Sequence, residues 1–293
     1  LKLTPTQEEQ LFTTFNEFLS TPPQYAKWQL KPENCVITCY TSGKTVFQGK
    51  DANIYAAAFM NEPDVLTTTP FTSIYPQAGS DEVGTGDYFG PVCVCASYVT
   101  KDDVDFLVKL GVRDSKKLTD ADMLKIGPLL MERIPHSLLI VTPQKYNQVH
   151  EENNLNAIKA KLHNQAYINL AKKIELPSFK IVDQFTPETS YYRYLKNDTQ
   201  IIRGIHFETK AEDKYLSVAV GSIISRYGFL KTWEEMEQKY NMTFPKGSGD
   251  KVDVVAQEFV ECYGFDRLGE VAKLHFKNTE KLDNLSQEEI SNL

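Results

Sequence analysis

The stretch that most constrains this chain is Gly79–Pro91, in which two adjacent carboxylates stand directly before a glycine-rich turn. Asp81 and Glu82 precede the turn Gly84–Gly86, and the apolar run Val92–Val99 follows it. A short apolar run bounded by glycine and proline is typical of a buried strand. Any fold of this chain must therefore place a buried strand, a tight turn and two carboxylates next to one another.

The two carboxylates are candidate metal ligands, but their spacing sets a geometric condition. Neighbouring side chains on an ideal strand face opposite ways. For Asp81 and Glu82 to serve one metal site, we expect the strand to end or distort there, which Gly84 and Gly86 make feasible. The alternative is a surface turn that carries two solvated acids.

Asp183 is a third candidate because it ends the apolar run Ile181-Val182, which is typical of a central strand. A carboxylate in such a place is costly unless it is paired with a cation. The alternative is an aspartate that caps the next loop. A carboxylate here, together with Asp81 and Glu82, would suit a divalent-metal site.

Glu212 and Asp213 open a long helix predicted over residues 211–240. At about 100° per residue, Glu212 lies within the angular spread of the helix's apolar stripe, and Asp213 falls just outside it. Glu212 is therefore predicted to point towards the sheet. Alternatively, both acids only favour the helix dipole at its first turn.

The pattern of elements divides the chain into two units. The first, residues 1–75, is a small α+β unit with predicted helices at 4–18 and 52–60 and strands at 25–30, 35–41 and 45–48. A threonine- and proline-rich linker is expected over 62–77. The second unit, residues 78–293, alternates strands with helices, has a strand predicted over 200–206, and ends in a polar tail from about residue 278. This order predicts an α/β fold, a mixed sheet flanked by helices.

Charge is unevenly placed along the chain. The net charge of -7 argues against a nonspecific DNA coat protein. The stretch 24–50 nevertheless has a single acid, Glu33, among its basic and aromatic side chains. These are Lys27, Lys31, Lys44, Lys50, Tyr25, Trp28 and Tyr40. The stretch is either a sheet face that grips a sugar-phosphate backbone or a solvated face with aromatics in the core.

Cysteine content and hydropathy indicate in which cellular compartment the protein is expected. The five cysteines are odd in number and include no Cys-x-x-Cys pair, which favours buried thiols in a reducing cytoplasm. No apolar run is long enough to span a bilayer, and residues 1–5 lack the apolar core of a secretory signal. We therefore expect a cytoplasmic protein without a membrane partner.

Four acids lie near predicted strand or helix ends: Asp81, Glu82, Asp183 and Glu212. Phosphodiester hydrolysis with two divalent ions needs several carboxylates that converge on ions about 4 Å apart. Hard oxygen ligands indicate Mg²⁺ or Mn²⁺ and not zinc.

Several segments together resemble the successive motifs of the type 2 ribonucleases H, and the resemblance is strongest to their HIII group. They are Asp81–Pro91, Asp114–Leu118, Val182–Phe185, Thr209–Glu212 and Ser217–Arg226. The resemblance covers residues 78 to 276. The N-terminal unit is similar to the extra domain of that group, which has a fold like the TATA-box-binding protein.

The resemblance implies a ribonuclease H-like fold and endonucleolytic cleavage of the RNA strand of RNA/DNA hybrids, leaving 5′-phosphate and 3′-hydroxyl ends. It implies two Mg²⁺ or Mn²⁺ ions as cofactors, and the four acids as their catalytic ligands. The implied partner is the hybrid, bound by a monomer with the help of Lys27, Lys44 and Lys50 of the N-terminal unit.

Further substrate contacts follow from the same resemblance. Gly84, Thr85 and Gly86 match the family's substrate motif, whose exposed amides can contact a ribose 2′-hydroxyl. Ser115 and Lys116 resemble phosphate-contacting residues. The alternatives are a turn that serves only folding and an ordinary loop that leads into a helix.

Lys246 is a candidate phosphate contact on its loop, or else a solvated lysine. Two competing functions stay open: activity of the ribonuclease HII kind at single embedded ribonucleotides, and binding of hybrids without catalysis. Thr85 stands where ribonuclease HII has a basic residue, which favours the HIII group. The four intact acids argue against binding alone, because negative charge repels phosphates.

Overall fold

The computed structural model of the chain describes residues 1–56, 59, 71–112 and 117–282. Two β-sheets organise these residues. The predicted mixed sheet flanked by helices is confirmed.

The N-terminal sheet is antiparallel, in the order β1-β2-β3-β4. Its strands are β1 (Leu19–Ser20), β2 (Ala26–Leu30), β3 (Val36–Tyr40) and β4 (Thr45–Gln48). Helix α1 (Pro5–Phe15) packs on it through Leu11 and Phe15, and α2 (Ala52–Ala56) follows β4. Thr4 caps α1 in a reciprocal capping box with Gln7. The short strand β1 was not predicted, and residues 57, 58 and 60 of the second predicted helix lie outside the described residues.

The second sheet is mixed, in the order β7-β6-β5-β8-β9. Strands β5 (Gln77–Val83), β6 (Val92–Val99) and β7 (His136–Val141) are antiparallel, whereas β8 (Lys180–Asp183) and β9 (Ile205–Glu208) run parallel to β5. The last strand begins at Ile205, so the strand predicted over 200–206 was placed too early.

Helices cover the mixed sheet. They are α3 (Val104–Lys109), α4 (Asp120–Arg133), α5 (Pro143–His150), α6 (Leu155–Ala171), α7 (Glu188–Tyr194), α8 (Leu216–Tyr240) and α9 (Asp250–Tyr263). Among the helices that the structure describes, none is both long and apolar enough to cross a membrane. Four of the cysteines are buried free thiols, and only Cys262 is exposed.

Helix α8 lies unusually close to β5 and β6 because glycines face each other at the contact. A Cβ atom on Gly79 would lie 2.5 Å from the Val218 nitrogen, and one on Gly221 would lie 2.8 Å from the Cys95 carbonyl oxygen. The backbone of the helix therefore rests on the backbone of the sheet. This packing holds the start of α8 beside the end of β5.

Two boundary predictions were wrong. The long helix begins at Leu216 and not at residue 211, because Lys210 takes a left-handed conformation and residues Ala211–Asp213 form a separate 3-10 turn. The polar tail was expected from residue 278. Residues 277–282 are instead helical, with Asn278 and Leu282 buried, and residues 283–293 lie outside the described part.

Candidate metal centre and substrate surface

Strand β5 stays regular through both of its acids. Asp81 pairs with Cys95 and Glu82 with Val94 in an unbroken antiparallel ladder that runs to Val83. The strand is therefore not distorted at the acids, and it ends one residue after them, at Val83. The two side chains leave opposite faces of the sheet, as the two-residue period of a strand requires.

Asp81 faces α8 and is almost completely buried, with a relative exposure of 8%. Its Oδ1 accepts a hydrogen bond from the Glu82 nitrogen at 2.7 Å. Burial raises the pKa of Asp81 well above its usual range, and the negative charges of Asp183, Glu82 and Glu212 raise it further. Asp81 thus lies in a cluster of mutually repelling carboxylates.

Glu82 faces α6, where its carboxylate contacts Lys159 and His163. Its carboxylate forms a salt bridge with the Lys159 ammonium, and His163 Nε2 donates to Oε2 at 2.8 Å. Ser80 Oγ lies 2.8 Å from the other nitrogen of His163 and so orients the ring. Burial alone would raise the pKa of Glu82, but Lys159 and then His163 lower it to about 2. Glu82 is therefore ionised.

Asp183 ends β8, the parallel neighbour of β5, where Ser80 pairs with Val182. Its Oδ1 accepts a hydrogen bond from the Ala211 nitrogen at 2.8 Å. Burial and the charge of Glu212 raise the pKa of Asp183 to about 8, although the Ala211 hydrogen bond opposes this. The strand end is thereby tied to the turn that carries Glu212.

Glu212 lies in the 3-10 turn Ala211–Asp213, outside α8. The prediction that Glu212 points towards the sheet was based on the geometry of a helix, which does not apply to this turn. The turn still brings Glu212 to the acids, because Glu212, and not Asp213, is among the principal charges that raise the pKa of both Asp81 and Asp183.

The four predicted acids are mutual electrostatic neighbours, yet they do not form a finished ligand cage. Within residues 1–56, 59, 71–112 and 117–282, no three His, Cys, Asp or Glu side chains are arranged as a metal-binding group. Lys159 holds Glu82 on the α6 face, which accounts for part of this separation. In chemistry the set fits a hard divalent cation such as Mg²⁺ or Mn²⁺, because every candidate ligand is a carboxylate and a cation would relieve their repulsion.

Lys159 and His163 were missed by sequence reasoning. They lie on α6 at i and i+4, which places them on one helix face, and both are buried. The Lys159 ammonium also lies 4.0 Å from the centre of the Phe185 ring. Their i, i+4 spacing was the only signal in the sequence, and it does not show that this face of α6 is buried against Glu82.

The glycine turn begins where β5 ends. Gly84 has a φ of +91°, and a Cβ atom there would lie 2.1 Å from the Pro91 carbonyl oxygen, so only glycine fits. A Cβ atom on Gly86 would lie 2.7 Å from the Gln10 side chain of α1. The N-terminal unit thus contacts the predicted substrate turn, which the sequence did not indicate.

The loop that carries Lys246 is tied to the same turn. The Gly247 nitrogen donates to Asp87 Oδ1 at 2.6 Å, and the Tyr88 nitrogen donates to the Gly247 oxygen at 2.8 Å. The Lys246 ammonium contacts Asp120 at 2.5 Å. The other predicted phosphate contacts, Ser115 and Lys116, lie outside the described residues.

The candidate lysines of the N-terminal unit are exposed: Lys27, Lys31, Lys44 and Lys50. Lys27 forms a salt bridge with Glu8 at 2.9 Å. Glu33 points away from this set and accepts hydrogen bonds from Ser190 and Arg193 of α7, at 2.9 and 3.3 Å. The acid of the basic stretch therefore serves the contact between the two units.

Comparisons with known proteins place this site in context. The family model described as Ribonuclease HII matches residues 78–279, and one described as a domain of unknown function, DUF3378, matches residues 1–69. Ribonuclease HIII of Streptococcus gordonii is 43% identical over 97% of each chain. Ribonuclease HIII of Staphylococcus aureus strain Newman is 40% identical, over 88% of this chain and 89% of that one. The crystal structure of Bst-RNase HIII in complex with Mn²⁺ has a TM-score of 0.71 and 35% identity over 98% of each chain.

Proposed function

The chain belongs to the type 2 ribonuclease H family, in its ribonuclease HIII group, and on that premise we propose that it cleaves the RNA strand of RNA/DNA hybrids with two divalent metal ions. The products are proposed to carry 5′-phosphate and 3′-hydroxyl ends. The acidic cluster at the ends of β5 and β8 is the observation that carries this proposal.

The proposed ligands are Asp81, Glu82, Asp183 and Glu212. Burial and mutual repulsion raise the pKa values of Asp81 and Asp183, so these groups gain most from a nearby cation. The relative Bst-RNase HIII has been crystallised with Mn²⁺, which supports Mn²⁺ or Mg²⁺ as the cofactor here. When bound, such ions would supply an activated water and would stabilise the charge on the leaving oxygen.

The chain's own residues prepare the site for this chemistry. Lys159 and His163 keep Glu82 ionised and fix its direction. The Ala211 nitrogen fixes Asp183. Asp183 is thus already held in place, whereas Glu82 has to exchange its salt bridge with Lys159 before it can bind a metal ion.

Substrate recognition is proposed to use two surfaces. Backbone amides of Gly84, Thr85 and Gly86 contact a ribose 2′-hydroxyl, the group that distinguishes RNA from DNA. Lys246 contacts a phosphate after it exchanges its bond to Asp120. Ser115 and Lys116 are proposed as further phosphate contacts.

The N-terminal unit, residues 1–75, is proposed as a substrate-binding domain with a fold like the TATA-box-binding protein. Its exposed lysines Lys27, Lys44 and Lys50 would hold the hybrid's backbone. The catalytic domain is proposed to span residues 78–293.

The direct test uses a labelled RNA/DNA hybrid with Mg²⁺, Mn²⁺ or EDTA. We expect cleavage with either metal and none with EDTA, and products that ligase and phosphatase assays identify as 5′-phosphate and 3′-hydroxyl. Cleavage in EDTA, or no cleavage with either metal, would refute the proposal. A duplex with a single embedded ribonucleotide, run in parallel, distinguishes this activity from that of ribonuclease HII.

A further inference from the structure

Lys273 is a completely buried lysine, with a relative exposure of 0%, inside the apolar cluster beneath the glycine turn. Its ammonium donates to two successive carbonyl oxygens in the segment that follows that turn, Phe89 at 3.0 Å and Gly90 at 2.7 Å. Its backbone nitrogen donates to the Tyr88 oxygen at 2.8 Å. One residue therefore holds three consecutive carbonyl groups.

This lysine is expensive to bury. Among the described residues, the hydrogen bonds of its ammonium go to these two carbonyl oxygens and none goes to a carboxylate. Burial lowers its pKa to about 7, although Asp87 and Cys93 oppose this. A methionine or leucine would fill the same volume without the cost of burying a charge. The position is thus better explained by the bonds the ammonium makes than by packing.

The carbonyls that Lys273 holds lead directly to the substrate turn. Gly90 has a φ of +73°, and a Cβ atom there would lie 2.6 Å from the Trp233 ring, so this residue is confined on its other side. The next carbonyl in the chain is that of Pro91, which packs against Gly84. Movement of the Gly90 carbonyl would therefore move Pro91 and release Gly84.

We propose that Lys273 is a positioning residue for substrate recognition, which holds the turn Gly84–Gly86 so that its amides meet the ribose of the RNA strand. The inference rests on the proposed function of that turn. Lys273 does not touch the substrate. It acts through the carbonyls of Phe89 and Gly90, and its loss affects ribose recognition more than turnover of bound substrate.

The test compares Lys273→Met, which removes the donors, with Lys273→Gln, which keeps an amide donor, in the full chain. We expect KM for an RNA/DNA hybrid to rise roughly 10- to 100-fold in Lys273→Met, and less in Lys273→Gln, while kcat changes much less. The ratio of the binding affinity for the hybrid to that for a DNA duplex of the same sequence should fall as well. Hydrogen exchange of the amides over residues 84–91 should speed up.

The matched control is Phe259→Leu, in the same apolar cluster, with ring contacts to Tyr240, Phe244 and Tyr263. It should lower Tm without changing KM or the preference for hybrid. The proposal is overturned if Lys273→Met, or Lys273→Gln where the former does not fold, keeps the wild-type KM and preference. A wild-type protein that binds hybrid no better than DNA duplex would instead refute the proposed function of the turn.

Discussion

Asp81 and Glu82 are neighbours in sequence, but the charges around them act in opposite directions. Burial and then the neighbouring carboxylates raise the pKa of Asp81. At Glu82 burial also raises the pKa, but Lys159 and His163 outweigh it and lower the pKa to about 2. The difference follows from the two-residue period of β5, which points one acid at α8 and the other at α6. A cation at this strand end would therefore offset the burial and repulsion that raise the pKa of Asp81.

Glu212 and Asp213 offer a matched pair of variants in one turn. We expect Glu212→Gln to lower the cleavage rate roughly 10³-fold, because removal of a metal ligand takes away several kcal/mol of transition-state stabilisation. Asp213→Asn should stay close to wild type. Single-turnover cleavage of a labelled hybrid measures both, and equal losses in the two variants would remove Glu212 from its assigned role.

At this scale the sequence predicted the acids but not their surroundings. Asp183 could be found because a carboxylate at the end of an apolar strand needs compensation. Lys159 and His163 could not, because their approach to Glu82 depends on how α6 packs against β5. The assignment of the four acids as ligands stays a prediction.

Among the secondary-structure elements, the contact of α8 with β5 decides the geometry of the site. Gly79 and Gly221 allow the two backbones to touch, and the Asp81 nitrogen lies 3.6 Å from where a Cβ atom on Gly221 would be. The two glycines therefore set the distance between Asp81 and the turn Ala211–Asp213, which precedes α8.

The variant Gly221→Ala tests this contact. An added methyl group would meet the Cys95 oxygen at 2.8 Å, and such overpacking costs about 1–3 kcal/mol. We expect a lower Tm and, because α8 shifts away from Asp81, a lower cleavage rate. Gly269→Ala, where the nearest atoms lie at 3.4 Å, is the control for the glycine substitution itself. If Gly221→Ala cleaves at the wild-type rate, the contact between α8 and β5 does not determine the geometry that catalysis needs.

Lys273 links the C-terminal segment to the glycine turn, and it should leave a signature in stability against pH. Its folded pKa of about 7 lies below the 10.5 of an ordinary lysine, so the unfolded chain binds more protons between these values. Stability should therefore rise with pH in this window, by up to about 1.4 kcal/mol per unit. The free energy of unfolding, measured by denaturant titration at several pH values, should rise with pH more steeply in wild type than in Lys273→Met. Identical pH dependence would contradict the burial of a titrating lysine.

The starts of two helices show when a sequence pattern is enough to predict where a helix begins. The start of α4 is marked in its sequence, because Thr119 and Asp122 form a capping box there. The start of α8 was predicted five residues early. Apolar periodicity does not register the left-handed Lys210 before the 3-10 turn, or the extended Tyr215 that separates the turn from the helix.

For the whole molecule, the notable feature is that the N-terminal unit contacts the unit that carries the four acids. Gln10 lies against Gly86, Glu17 accepts hydrogen bonds from Asn154 and Tyr194 at 2.5 and 3.1 Å, and Glu33 contacts α7. These contacts are polar, and no periodicity in the sequence could predict them, because they depend on how two separately patterned units meet.

The role of the N-terminal lysines is tested by salt dependence. The double variant Lys44→Gln and Lys50→Gln should bind hybrid more weakly. The slope of log affinity against log salt should fall by roughly 0.7–0.9 for each phosphate that the variant no longer neutralises. Lys172→Gln, at the far end of α6, is the control and should leave the slope unchanged. Unchanged affinity and slope in the double variant would show that these lysines form only a solvated face.

The central claim, that the four acids hold divalent metal, is tested most directly by anomalous diffraction from a crystal of this chain soaked in Mn²⁺. We predict anomalous peaks about 2.0–2.6 Å from carboxylate oxygens of Asp81, Asp183 and Glu212, with Glu82 released from Lys159 to join them. The same soak of Asp183→Asn should show weaker peaks or none. Mn²⁺ bound only elsewhere, or peaks unaffected by Asp183→Asn, would contradict the account.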